Sequence, residues 1–395
     1  MKEDFLIESN HQIENAENVV NDTEDILETT ISDQHTSSEG LEIDVQESSY
    51  SSTVSEEDTL ENVNSEVSLS TYEIIDDNTE ICGVSLKGRQ HTEDNEVCQD
   101  FHFFKDLGNG WHLYVVSDGA GSAKASHRGS KTNCEIASYF VKRMLDTNKW
   151  NEINYMPSEA EWYREFDSIC RALKNFIEEK VESLDERLVA KDFNATLMLL
   201  LVTPNGMLSG HIGDGRMGYQ NSNGDWFSIM TPHKGDEPNQ TIFVLNAWDK
   251  VRVPAFRMSG VSVPEVRVIK DIPTAVVLIT DGCENFCWNC VHLNIDTQRY
   301  EDRNTPFVGF LEPLIDTLND TIRSEWMYTF DKSDTNREHR VLSEFIKFID
   351  TKTEACRQEQ DDRTMLLGLY RNNKISMNVK SSDIPAEQEC VDYEV

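Results

Sequence analysis

Two packed antiparallel sheets flanked by helices, an α+β layered domain, is the fold class this sequence predicts, and three observations predict it. Short apolar runs of strand length, bounded by Gly, Asn and Asp, fill two blocks at 80–118 and 194–280, with a last run at 364–370. Two longer stretches with helical spacing separate these blocks, and two more follow the second. One strand run, TAVVLIT at 274–280, is almost continuously apolar and needs cover on both faces. Elements of this kind bury their faces by stacking in layers.

Residues 1–78 stand apart from that pattern. The first 80 residues carry 23 Asp and Glu against one basic residue, Lys2, and residues 1–78 hold no Pro, one Gly (Gly40) and only isolated aliphatics. Such a stretch offers too little apolar area to offset ordering entropy, so 1–78 reads as a disordered acidic tail, either a solubilising spacer or a docking segment. A folded domain is expected over 79–380 and a second acidic tail over 381–395.

The domain opens with strand runs at 80–86 (EICGVSL), 100–104 (DFHFF) and 111–118 (WHLYVVSD), the last two joined as a hairpin through KDLGNG. In 126–145 Ile136, Phe140, Val141 and Leu145 share one helical face, with Ser126 as its cap. A second helix over 158–187 aligns Trp162, Phe166, Ile169, Leu173, Phe176 and Ile177. Strands follow at 194–203, 207–214, 217–220 (MGYQ), 226–230 (WFSIM), 241–248 (TIFVLNAW), 251–259 (VRVPAFRMS) and 274–280. Helices at 306–320 and 337–352, the strand TMLLGLY and an edge strand near KISMNV (374–379) complete the domain, with polar insertions at 285–305 and 321–336.

The net charge of −36 argues against nucleic acid and anionic membrane surfaces as partners, because the chain has few cations with which to displace phosphate counterions. Eighteen consecutive apolar residues occur nowhere, and the N-terminus lacks the features of a signal peptide, so a cytoplasmic protein is expected. Nine cysteines, an odd number, suit reduced thiols. Cys283, Cys287, Cys290 and His292 lie close together, yet their spacing suits no common zinc site.

The aspartates carry the chemistry. Asp118 ends VVSD before Gly119, Asp281 ends VVLITD before Gly282, and Asp361 immediately precedes the final strand. One such Asp is commonly a turn former. Three charges at the ends of apolar runs, without a comparable basic cluster, point to neutralisation by metal. Oxygen-only ligands select hard Mg²⁺ or Mn²⁺. Gly119 and Gly121 would let a backbone carbonyl approach as well.

VVSDGAGSA, GHIGDGR (210–216), VVLITDGCE (276–284) and DDRTMLLGLY (361–370), in that order, resemble the metal-dependent protein phosphatase (PPM, protein phosphatase 2C) family in its divergent bacterial branch. The resemblance spans about 81–370. It implies an αββα sandwich, two Mn²⁺ or Mg²⁺ ions with room for a third, and hydrolysis of phosphoserine or phosphothreonine in a protein substrate, with a cognate Ser/Thr kinase. By position, Asp118 resembles the aspartate bridging both ions with the Gly119 carbonyl beside it, and Asp281 and Asp361 resemble the remaining ligands, with Asp362 able to substitute. The first strand allows two registers, Arg89 with Glu93 and Asp94, or Gln99 with Asp100. Strand register favours Asp100. Arg89 and His91 become the candidates for holding phosphate, with Lys124 and Arg128 behind them. Ala120 stands where eukaryotic members carry an acidic His. Asp214 and Arg216 read as structural, and Asp192 as a contributor to a third ion.

Overall fold

In the computed structural model, described here for residues 67–371 apart from 185–186, 235–239, 250–261, 296–297 and 329–334, the domain begins earlier than composition suggests. Strand β1 (Val67–Asp76) pairs antiparallel with β2 (Thr79–Leu86), so the boundary drawn at 78 is corrected to include β1 from Val67. β1 is an edge strand, largely exposed, and needs little apolar content. That is why it reads as tail. The rest of the tail, the strand run at 251–259, the edge strand near 374–379 and the segment 381–395 lie outside the described residues.

After β2 come a short helix α1 (Arg89–Glu93) and the hairpin β3 (Phe101–Asp106) and β4 (His112–Ser117). The turn between them uses Gly108, Asn109 and Gly110, all with positive φ. Helix α2 (Ser126–Asn148), a short α3 (Trp150–Ile153) and α4 (Glu159–Ser183) follow. Ser126 is the first helical residue and not the cap, which falls on Ala125; α4 is capped by Ser158 in a reciprocal box with Glu161.

Next come β5 (Leu197–Thr203), β6 (Gly206–Ile212), β7 (Arg216–Gln220), β8 (Trp226–Ser228), β9 (Glu265–Ile269) and β10 (Ala275–Ile279). The expected strand at 241–248 is instead irregular, with a 3₁₀ turn at Val244–Asn246. Asn246 Oδ1 accepts the Phe243 N–H at 2.8 Å, a local bond that competes with sheet pairing. A short α5 (Glu284–Cys287) leads into a two-stranded ribbon, β11 (Trp288–Asn294) and β12 (Arg299–Pro306), where the sequence suggested only an insertion. Helices α6 (Val308–Tyr328), α7 (Thr335–Thr351) and α8 (Glu354–Gln358) precede the last strand, β13 (Arg363–Tyr370).

A six-stranded sheet runs β1-β2-β13-β10-β7-β8 and a five-stranded sheet runs β3-β4-β5-β6-β9. Three cores hold the layers together. One lies between the sheets and includes Phe104, Tyr114, Met198, Met217, Leu278 and Leu366. A second joins α2 and α4 to the five-stranded sheet through Phe140, Trp162, Phe166 and Leu199, and a third joins α6 and α7 to the six-stranded sheet through Phe310, Leu314, Phe345 and Val277. This is the expected αββα sandwich. β10 lies between β13 and β7 and is buried throughout, as its unbroken apolar run requires.

Candidate metal centre

Asp118 follows β4 in one sheet and Asp281 follows β10 in the other, and Asp214 sits where the chain crosses between sheets from β6 to β7. One carboxylate oxygen from each lies within 4.8 Å of the others. Asp214, expected to be merely structural, therefore belongs to the cluster. Asp192 does not join it: its Oδ2 accepts the Val189 N–H at 3.0 Å and caps the turn at 190–193.

Backbone pairing fixes Asp118. Its N–H donates to Thr196 Oγ1 at 2.9 Å, and the Thr196 N–H donates to the Asp118 carbonyl at 2.8 Å. Gly119 is packed so closely that a Cβ would lie 2.6 Å from the Gln99 carbonyl oxygen and 2.9 Å from Ser126 Cβ. Only glycine fits there. Beside that turn, Gln99 Oε1 and Ser126 Oγ are buried with no protein partner.

Asp361 and Asp362 precede β13 and divide into different roles. Asp362 is 2 % exposed and saturated: its oxygens accept the N–H of Gly88 at 2.7 Å and of Gln99 at 2.6 Å, and His91 Nδ1 lies 2.9 Å away. Asp361 is left at the solvent-exposed rim. Asp100 enters β3 from the same end, 5 % exposed, and Thr280 Oγ1 donates to it at 2.7 Å. Asp94, its rival in register, is exposed at the end of α1. Arg89 opens α1 and is exposed; His91 is committed to the Asp362 side. Burial opposes charge on His91, but Asp362, Asp361 and Glu96 outweigh it and raise its pKa. Lys124 is exposed, and the Arg128 guanidinium lies over the Phe193 ring.

Burial of the carboxylates dominates the electrostatics, and crowding of like charges adds to it. Burial and then the neighbouring Asp281 push the Asp118 carboxyl well above the ordinary range; burial and Asp362 do the same to Asp100. Burial and Asp214 push Asp281 up to about 8. Burial raises Asp214 and Asp361 as well, with Lys234 partly offsetting the effect on Asp214. Lys234 itself donates to Glu284 Oε2 at 2.7 Å, while Arg216 Nε donates to Glu284 Oε1 at 2.6 Å and its Nη2 to Asp302 on the ribbon at 2.7 Å. Arg216 is thus structural, as its position in the sequence suggested. The donor set fits a hard divalent cation, being carboxylate oxygens short of positive charge beside unpartnered neutral oxygens.

The eight described cysteines are free thiols. Burial raises the pKa of Cys283 and Cys287, which keeps them protonated and inert, and neither belongs to a metal-compatible group among the described residues. No helix among the described residues is long and apolar enough to cross a membrane.

A layered sandwich with an oxygen-lined acidic end defines a metallohydrolase-like architecture. The profile of the protein phosphatase 2C family matches residues 87–330, more than half of the chain, and the chain belongs to that family. Solved structures similar to it include RsbX in complex with magnesium (13% identity, 76% of this chain and 99% of that one, TM-score 0.37). Others are the serine/threonine phosphatase PstP/Ppp of Mycobacterium tuberculosis (15%, 74% and 99%, TM-score 0.39) and the serine/threonine phosphatase Stp1 of Staphylococcus aureus (12%, 73% and 94%, TM-score 0.40). No curated protein matches the chain.

Proposed function

We propose that this chain is a protein serine/threonine phosphatase whose centre uses two Mn²⁺ or Mg²⁺ ions held by Asp100, Asp118, the Gly119 carbonyl, Asp281 and Asp361. The observation that carries the proposal is the convergence of Asp118, Asp214 and Asp281 from both sheets without enough cations to neutralise them. Asp214 adds a carboxylate for a third ion. When bound, the ions would supply Lewis acidity, activating water at neutral pH and offsetting charge that builds on the phosphoryl oxygens.

The chain's own residues position and neutralise. Thr196 clamps the Asp118 backbone from both sides, which sets where its carboxylate emerges. Asp362, saturated by two backbone N–H groups, anchors its neighbour Asp361 at the rim. Arg89 offers an exposed guanidinium whose fork suits a phosphate dianion, with His91 two residues further along the same short helix. Ala120 brings no acid, so the departing serine or threonine oxygen takes its proton from solvent. The substrate is a phosphorylated protein supplied by a Ser/Thr kinase.

Protein stripped with EDTA should be inactive on a phosphothreonine peptide and regain turnover on addition of Mn²⁺. Full turnover in the absence of divalent metal would sink the metal-centre reading. Phosphopeptide binding without turnover at saturating Mn²⁺ would instead identify a silent phosphoprotein-binding module.

A further inference from the structure

The chain carries 72 Asp and Glu against 36 Lys and Arg, yet residues 121–149 reverse that balance with six Lys and Arg against two Asp and Glu. This stretch is α2 with a few residues at either end, and it begins two residues past Gly119. Backbone pairing ties its start to the acidic cluster. From Asp118 onward the chain runs beside 192–196: the Thr196 N–H donates to the Asp118 carbonyl at 2.8 Å, and Gly119 pairs antiparallel with Ala195. The Ala120 N–H then donates to the Asn194 carbonyl at 2.9 Å and the Ala125 N–H to the Asp192 carbonyl at 2.8 Å. Lys124 and Lys191 flank that last bond, and both are exposed. Arg128 is half-buried with its guanidinium 5.2 Å from the Phe193 ring centroid, and Lys131, exposed, follows about one turn along α2. Burial lowers the pKa of Lys180 on α4; Glu135 opposes this, and Arg128 and Lys131 add to it. Of the acidic groups on this side, Glu135 meets Lys131 at 3.8 Å, and Asp192 is buried with its Oδ2 turned to the Val189 N–H.

We infer that Lys124, Arg128, Lys131 and Lys191 form a basic strip that docks acidic side chains of the phosphoprotein substrate to one side of its phosphorylated residue. Distance sets which substrate residues can meet it. Thr196, beside Asp118, and Asp192, beside Lys124, are four residues apart, at most about 14 Å of chain. A substrate laid out as a strand advances about 3.3 Å per residue, so with its phosphoryl group at the acidic cluster, side chains about three to five positions away fall on the strip. Carboxylates there meet opposite charge on a domain that is otherwise acidic, and such complementarity sorts partners even where each exposed pair is weak. The inference rests on the phosphatase reading above and adds the class of sequence it favours, a phosphopeptide with Asp or Glu on one flank.

The test compares phosphothreonine peptides of equal length that carry Glu or Ala about three to five positions from the phosphothreonine, before it in one set and after it in the other, at saturating Mn²⁺. In one set the Glu peptide should have a KM about tenfold below the Ala peptide with kcat within about twofold, and the gap should shrink as salt screens the exposed charges. Lys131→Glu/Lys191→Glu should abolish the gap and leave turnover of p-nitrophenyl phosphate within about twofold, because that small ester does not extend to the strip. Equal KM values for Glu and Ala peptides in both sets, with both hydrolysed, overturn the strip and leave the phosphatase reading standing. A gap that survives the double variant also overturns it. If no peptide is turned over, the phosphatase reading fails, and fluorescence anisotropy with the same labelled peptides decides the strip separately. Tighter binding of the Glu peptide, lost in the double variant, then supports it, and equal binding overturns it. The peptide and salt comparisons use the unmodified chain, so the test survives a variant that does not fold.

Discussion

Among the described residues three clusters have side-chain spacing that would suit a metal ion; His91, Asp361 and Asp362 form one at the rim, and the other two differ in what surrounds their donor atoms. At the acidic end of the sandwich, Asp118, Asp214 and Asp281 repel one another, with further carboxylates at Asp100 and Asp361. Behind it, His211, His233 and Glu265 are equally close but fully buried. There the donors are already engaged. His233 Nδ1 accepts the Gly213 N–H and its Nε2–H donates to the Ser262 carbonyl, each at 3.1 Å, while His211 Nε2–H donates to the Thr231 carbonyl at 3.0 Å. Glu265 is held by Arg267 and the Thr231 N–H, and the two rings stack with centroids 4.3 Å apart. Burial pushes His233 down to about 4 and His211 well below its usual value, so both are neutral near pH 7. Uncommitted charge, more than proximity, separates a centre for metal from a polar piece of core.

The largest expected effect breaks the acidic cluster. Asp118→Asn or Asp281→Asn should lower turnover of a phosphothreonine peptide about a hundredfold or more, as loss of a charge beside the reacting phosphoryl group does. His211→Asn, by contrast, should keep the Mn²⁺ response and lose about 1–3 kcal/mol of stability in urea unfolding, because it leaves buried polar partners unmet. Loss of the Mn²⁺ response in that variant would erase the distinction between the clusters.

A similar loss of about a hundredfold is expected for Asp100→Asn, whereas exposed Asp94→Asn should change activity by less than about threefold. Circular dichroism checks that both variants fold. The opposite order would restore the register built on Arg89, Glu93 and Asp94.

A smaller effect follows from charge crowding and is read by melting temperature. Asp281 has its folded pKa raised to about 8 from an ordinary 3.8, so its stabilising contribution is complete below the lower value and is lost as pH rises through the upper one. Asp100, Asp118, Asp214 and Asp361 shift in the same direction. Metal-free protein should thus melt several degrees lower at about pH 8.5 than at about pH 5.5, and saturating Mg²⁺ should close the gap. A metal-free protein that melts higher at the alkaline pH would show that the carboxylates are not held against their charge.

The smallest effect concerns the N-terminus. Removing residues 1–66 should shift the melting temperature by less than about 3 °C, since their composition supplies little core. Removing 1–78 should cost more, because it strips β1 from β2 and Thr71 from His102. Equal shifts for the two truncations would show that β1 contributes nothing to the sheet.

Much of this was legible in the residues themselves. Apolar runs fixed the interior strands, and i, i+3, i+4 spacing fixed the helices around Trp162 and Phe140, because burial imposes a period that the chain must carry. Those that escaped did so for local reasons. β1 is an exposed edge with nothing to bury, the ribbon at 288–306 is polar, and Asn246 supplies a side-chain bond that replaces the strand expected at 241–248.

The sequence by itself determined that aspartates stand at the ends of apolar strands and that glycine follows Asp118; the preference for Asp361 over Asp362 came from the family resemblance. Tertiary structure alone decided which strand ends meet. Asp118 and Asp281 belong to different sheets, and Asp214 lies at the crossing between them, so their convergence depends on how the two sheets stack across the core of Tyr114, Met198, Leu278 and Leu366. Asp214 read as structural because a one-dimensional pattern records where a charge sits along its own strand. It does not record the two charges that the opposing layers bring to face it.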